Sequence, residues 1–197
     1  MSADNMNAFV SHFCEILNRP RALGSTSYEP VFYACFEPRR ILELQQTVEV
    51  LKSQLVARGH TVVEFNCYDK LWEILEANPF WSEICEFDRE SPMDWSNLQE
   101  TLTELVCGED DLLVEALRAT LKSAENENNP IIFVTGLEAL HGYLRPGHLE
   151  NRLNGSFGAP TVFFYPGRIE GKTGLRFLNF YSLDANYRSE HIAVPEN

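Results

Sequence analysis

The sequence predicts an α/β fold of three layers, a mostly parallel sheet of about five strands flanked by helices. Three observations carry that expectation. Residues 31–36 (VFYACF), 131–135 (IIFVT) and 161–165 (TVFFY) are unbroken apolar runs rather than alternating ones. Strands of that kind are covered on both faces, as parallel sheets require. Between the first run and a second strand at 60–66 lies a long helical repeat, the crossover that joins parallel strands. A helical, acid-rich stretch then separates two β-rich halves. The architecture expected is Rossmann-like, or P-loop-like without a P-loop. It forms a single domain over 1–197 with an acidic helical insert at about 78–129.

Each element has a local reason. Residues 5–18 place Phe9, Phe13, Ile16 and Leu17 on one helical face, and Asn18 and Pro20 end that helix. Residues 24–30 read as a loop. The first strand stops at Glu37-Pro38, because proline cannot donate to a ladder. Proline suits the first turn of a helix instead. The helix over 39–58 repeats Ile41, Leu44, Val48, Leu51 and Leu55, and Gly59 follows as its C′ residue. A shorter helix after Asp69 turns Leu71, Ile74 and Leu75 inward and breaks at Asn78-Pro79. Phe80, Trp81, Ile84 and Phe87 then alternate with Glu83, Glu86 and Asp88, as on an amphipathic helix or tight loop. Asp94 is placed to cap a helix carrying Leu98, Leu102 and Leu105. Glu109, Asp110 and Asp111 open the next helix at the positive end of its dipole, and Leu113, Leu117 and Leu121 line its face. In the second half, Tyr165-Pro166-Gly167 is a turn signal. Residues 175–183 read as an aromatic-rich strand, and the tail HIAVPEN as a short edge strand.

Charge and cysteines bound the function classes. The net charge is −13, and residues 71–129 carry 15 acidic against 3 basic side chains, nearly the whole imbalance. Such a surface repels nucleic-acid backbone and anionic membrane, and steers a basic partner. It also serves simply as a solvated helical face. No apolar run approaches the ~18 residues that span a bilayer, and the first residues lack the basic start and apolar core of a signal peptide. The five cysteines (14, 35, 67, 85, 107) form no CxxC pair. They read as buried thiols in a reducing cytoplasm rather than as a disulfide framework or zinc site.

Gly167, Gly171, Lys172 and Thr173 are the strongest candidates for a phosphate loop. A Walker A loop needs four residues between its first glycine and Gly-Lys-Ser/Thr. Here three intervene, and the position where the first glycine is needed is Pro166, which has no N–H for a phosphate. A strand pattern follows where a helix should open. A hairpin with a glycine-rich turn fits better. Glu37, Asp69 and Glu138 follow three strand ends, the edge where α/β sheets bind ligands. They are candidates for Mg²⁺ or equally for helix-start caps. His141 and His148 are seven apart, not the four of a helical zinc pair. Arg39-Arg40 and Arg145 with Arg152 read as ion-pair partners rather than a nucleic-acid grip.

The order of these motifs resembles the BrxB family of the BREX phage-defence systems over roughly 5–183. The residues concerned are Phe36-Glu37-Pro38 before a long helix, 64–69 (EFNCYD), 133–136 (FVTG) with Arg145 beyond it, and 163–167 (FFYPG) with a hairpin. The resemblance implies a small cytoplasmic component of a multi-protein complex, needed for host-DNA methylation and phage exclusion. It also implies association with the complex's alkaline-phosphatase-like protein, PglZ, and carries over no catalytic residue, metal or cofactor.

Two functions stay open at this point. One is a non-catalytic interaction module that docks through Glu83, Glu86, Asp88, Glu109, Asp110 and Asp111. The other is a degenerate nucleotide-binding domain acting through Gly167, Gly171, Lys172 and Thr173. Self-association as a homodimer is a further expectation, through edge pairing of the aromatic segment 163–181.

Overall fold

The structure, a computed structural model, describes residues 3–17, 29–185 and 189–194. Helix α1 (Ala3–Leu17) precedes strand β1 (Val31–Phe36). A 3₁₀ turn (Pro38–Arg40) leads into α2 (Ile41–Ala57), followed by β2 (Thr61–Asn66) and α3 (Cys67–Ala77). Helices α4 (Trp81–Glu90), α5 (Trp95–Cys107) and α6 (Leu112–Ala124) come next, before β3 (Pro130–Thr135). A 3₁₀ turn (Leu137–Leu140) and α7 (Pro146–Arg152) lead to β4 (Thr161–Glu170) and β5 (Gly174–Phe177). Strands β6 (Asp184–Ala185) and β7 (Glu190–Ala193) complete the order.

The sheet runs β2-β3-β4-β1-β7, and every pair along that path is parallel. Strand β5 adds antiparallel to the far end of β4, and β6 to β5. The α2 crossover leads from β1 to β2 past two intervening strands. Strands β3 and β4 fill that gap later in the chain. Pleating splits each central strand between two apolar cores. Phe32, Ala34, Ile131, Phe133, Val162 and Phe164 face α1 and α2. Tyr33, Cys35, Ile132, Val134, Phe163 and Tyr165 face α3, α5, α6 and α7. Unbroken apolar runs are the signature of that two-sided burial. Leu98, Leu102, Leu113, Leu117 and Leu121 join the second core, so the helical insert packs its leucines against the sheet.

The helices start for local reasons. Asn66 Oδ1 accepts from the backbone N–H of Tyr68 at 3.0 Å and opens α3. Asp94 accepts from Asn97 N–H at 3.4 Å and opens α5. Residues 81–90 form a helix rather than a tight loop. Asp111, however, does not cap α6 through its side chain. It takes a left-handed conformation (φ 46°), and its carboxylate pairs with Arg152 instead.

Two expectations change at the carboxyl end of β4. Tyr165-Pro166-Gly167 is strand rather than turn, and the turn falls at 171–173. Proline is accommodated where β4 leaves the parallel sheet to pair with β5. The expected strand 175–183 stops at Phe177, because Leu178 and Asn179 turn left-handed (φ 50° and 64°). Within the segment 163–181, the expected site of edge pairing between copies, β4 has strand neighbours inside the chain. Its backbone is already matched to β1 and β3 and, farther on, to β5. The tail does form an edge strand, β7, beside β1. The expected helix end at Asn18 and Pro20, most of the loop 24–30, and the tail residues 195–197 lie outside the described residues.

Candidate functional site

In a parallel sheet every strand points its carboxyl end to one edge, and the connecting loops gather there. Here that edge holds the ends of β1, β2, β3 and β4. It divides into a groove beside α2 and a polar cluster around Arg145.

The groove has a volume of about 580 Å³ and runs between α2 and the ends of β2 and β3. Ile41, Leu44 and Val48 give it an apolar wall, while Glu49, Glu64 and Glu138 supply carboxylates. Gly136 and Asn66 meet in it. Gly136 is left-handed (φ 68°), and a Cβ there would stand 2.5 Å from Asn66 Oδ1. Only glycine therefore lets the turn after β3 close against the start of α3. Glu64 accepts from Lys52 Nζ at 3.0 Å and from Thr135 Oγ1 at 3.2 Å.

The polar cluster closes the ends of β4 and β5. Arg145 Nη1 donates to Asp184 at 3.0 Å and to Ser182 Oγ at 2.8 Å, with its guanidinium 5.3 Å from the centre of the Tyr181 ring. The Tyr181 hydroxyl oxygen accepts from Gly142 N–H at 3.3 Å and shares a 2.6 Å hydrogen bond with His141 Nδ1. Glu170 accepts from Arg176 Nε at 2.7 Å and Nη2 at 2.9 Å, and from Arg168 Nε at 2.8 Å. The Arg176 hydrogen bonds, helped by Arg168, hold the Glu170 carboxyl down at about 2. Behind the cluster, Tyr33 donates to Glu150 at 2.7 Å in the core. Burial raises the Tyr33 and Tyr165 phenols well above their usual range. The Tyr165 hydroxyl is buried with no hydrogen-bond partner among the described residues.

The residues expected to form a site are scattered. Glu37 accepts from Asn179 Nδ2 at 3.0 Å, Asp69 is exposed on α3, and Glu138 lines the groove. Among the described residues no three His, Cys, Asp or Glu side chains group as metal ligands, so Glu37, Asp69 and Glu138 do not converge. His141 is engaged with Tyr181, and His148 is exposed on α7. Gly167 belongs to β4, where a Cβ would sit 2.2 Å from the Arg176 carbonyl oxygen, so it serves strand pairing. Gly171, Lys172 and Thr173 form the tip of the β4–β5 hairpin, and the chain continues as a strand. A phosphate loop instead wraps its amides at the start of a helix.

Of the acidic residues, Glu83, Glu86 and Asp88 stand exposed on α4, and Glu109 and Asp110 stand exposed before α6. None of these five makes an ion pair among the described residues. Asp111 departs from the set, being spent on Arg152 at 2.8 Å. The five cysteines form no disulfide among the described residues, and of them Cys35 and Cys67 are buried. Cys14, Cys85 and Cys107 are half-exposed.

Sequence reasoning passed over an aromatic ladder. The Tyr68 and Trp72 rings meet at 6.3 Å, and those of Trp72 and Trp81 at 5.8 Å. Its signal was present, since Tyr68 and Trp72 are four apart and off the face of Leu71 and Leu75. The links of Arg145 to Asp184 and of Arg176 to Glu170 had no local signal.

No curated protein and no solved structure matches the chain. A family model described as BREX protein BrxB matches residues 63–192, from β2 into β7. It therefore takes in Gly136, Arg145, the whole of β4, the polar cluster and the acidic helices. That is well over half of the sequence, and the chain belongs to the BrxB family, a component of the BREX phage-defence system.

Proposed function

We propose that the chain is a non-catalytic docking component of the BREX assembly. In this reading it binds the alkaline-phosphatase-like partner, PglZ, in the cytoplasm, and through that contact supports host-DNA methylation and phage exclusion. The observation that carries the proposal is the set of exposed carboxylates at Glu83, Glu86, Asp88, Glu109 and Asp110, which make no ion pair among the described residues. Helices α5 and α6 bury their leucines in the core, and α4, which has no fully buried residue, rests Trp81 and Ile84 against it. Unneutralised charge of one sign attracts a basic surface and speeds its encounter. The ionisable groups of the polar cluster are, by contrast, engaged with one another. Arg145 is held by Asp184, Arg176 by Glu170, and Tyr33 by Glu150. Groups so occupied position loops. Among the described residues no helix is long and apolar enough to cross a membrane.

Reversing charge at Glu83, Glu86, Asp88 and Asp110 together tests the proposal by capture of purified PglZ. Capture by the wild type is expected to fall as salt rises, because exposed charges are screened beyond ~8 Å at physiological ionic strength. The reversed variant is expected to lose it at low salt. Equal capture by both proteins across the salt series rejects this face as the docking surface.

A further inference from the structure

The groove beside α2 and the aromatic ladder on α3 form one continuous surface, because Tyr68 belongs to both. It lines the groove, and its ring meets Trp72, which in turn meets Trp81. Tyr68 is 53% exposed and Trp72 39% exposed, and Phe80, beside Trp81, is 64% exposed. Three large rings in contact at one surface, two of them this open to water, exceed the scattered single apolar residues usual on a monomer.

The chemistry of the surface selects its occupant. The groove wall of Ile41, Leu44 and Val48 is aliphatic, while Glu49, Glu64 and Glu138 are acidic. Lys52 is the cation beside them, pairing with Glu64 at 3.0 Å and approaching Glu49 at 3.9 Å. One lysine against three carboxylates leaves the groove negative. The start of α3 opens here too, but Asn66 already occupies the Tyr68 and Asp69 amides. Its dipole is also met by the Asp69 carboxylate in the first turn. An anion therefore finds these first amides of α3 taken and meets repulsion from the carboxylates. A basic side chain finds the reverse: an aliphatic wall for its stem, carboxylates for its head, and ring faces for its charge.

We propose that this surface binds a short basic amphipathic segment of a partner protein, in which lysine or arginine alternates with aliphatic residues. Its aliphatic side chains lie along Ile41, Leu44 and Val48. Its cations meet Glu49 and Glu138 and stack along Tyr68 and Trp72. The site lies on α2, α3 and the β2 and β3 ends, and does not depend on the outer face of α4.

The test uses the full chain and a fluorescein-labelled peptide of alternating leucine and lysine, with matched peptides in which glutamine or glutamate replaces every lysine. Fluorescence anisotropy is expected to show binding of the lysine peptide, with affinity falling as salt rises. The glutamine peptide is expected to bind about tenfold more weakly and the glutamate peptide not at all. Tyr68→Ala, at an exposed position, and Glu138→Gln, at a half-buried one, are each expected to weaken the lysine peptide by about fivefold to tenfold. Reversal of Glu83, Glu86 and Asp88 is expected to change it by less than about twofold, so failure here is distinct from failure of the docking face on α4. Absence of binding overturns the proposal, as does equal binding of lysine and glutamate peptides or an unchanged affinity in both Tyr68→Ala and Glu138→Gln. So does concentration-dependent self-association in ultracentrifugation that Tyr68→Ala abolishes, since a second copy then fills the surface.

Discussion

Tyr33 and Glu150, 117 residues apart, meet in the core at 2.7 Å, the tyrosine hydroxyl donating to Glu150 Oε2. The pair ties the middle of β1 to α7 across one face of the sheet. Tyr33 stacks on Phe163 at 5.2 Å, which fixes the direction of its hydroxyl. Buried polar groups cost free energy unless matched, so this contact specifies where α7 docks. Tyr33→Phe keeps the ring and removes the donor. It is expected to destabilise the fold by about 2 kcal/mol, as for a hydrogen bond to a carboxylate. Urea unfolding followed by circular dichroism reads the change, and an unaltered midpoint contradicts the assignment.

The glycines at 136 and 171 share a left-handed backbone but differ in what surrounds them. A Cβ added at Gly136 (φ 68°) would stand 2.5 Å from Asn66 Oδ1, whereas one at Gly171 (φ 70°) would meet open space. Gly171→Ala is expected to cost about 1 kcal/mol, the strain of the conformation alone. Gly136→Ala adds displacement of the α3 cap, for a total of about 2–3 kcal/mol. Equal losses for the two variants in thermal unfolding contradict the cap contact.

Stability is expected to fall in two stages on acidification. Burial lowers the His191 pKa below its usual 6.5, so the folded chain holds this ring neutral. The unfolded chain binds the extra proton first, and the contribution of this group is lost as pH drops below about 6.5. Glu170 is depressed from 4.5 to about 2 by Arg176 and Arg168. Its contribution is complete above about 4.5 and is lost as pH falls toward 2. Denaturation series across pH read both stages. Glu170→Gln is expected to flatten the lower one, and a curve identical to the wild type there refutes the pairing.

Thiol reactivity should sort the five cysteines. Burial raises the Cys35 and Cys67 thiols far above the range in which thiolate forms, and pushes Cys107 up to about 11. The thiolate is the reactive species. In native protein at neutral pH, iodoacetamide is expected to spare Cys35 and Cys67 and to modify Cys107 slowly. Denaturant is expected to expose all three. Peptide mass mapping gives the order, and prompt native labelling of Cys67 contradicts the core packing.

What was legible in the sequence followed from local chemistry. An apolar run such as 131–135 carries its own evidence of two-sided burial, and a repeat such as Leu44, Val48, Leu51 and Leu55 carries evidence of a one-sided helix. The cap at Asp94 and the unsuitability of 167–173 for phosphate were readable because each rests on neighbours within a few residues. The turn signal at Tyr165-Pro166-Gly167 misled because its outcome is set from outside. Gly167 lies opposite Phe177, and pairing with β5 carries the strand through the proline. Asp111 misled likewise, since Arg152, 41 residues away, competes for its carboxylate.

The sequence alone determined the α/β class, the helical acidic layer, the two-sided burial of the sheet and the motif order of the BrxB family, because periodicity and charge are properties of adjacent residues. Tertiary structure alone decided the order β2-β3-β4-β1-β7, which carboxylates remain unpaired, and the meeting of Tyr68 with the groove beside α2. The physical reason is that strand pairing and ion pairing are choices among partners distant in the chain. Many pairings suit the same local pattern, and the one adopted closes both cores and brings Tyr33 to Glu150.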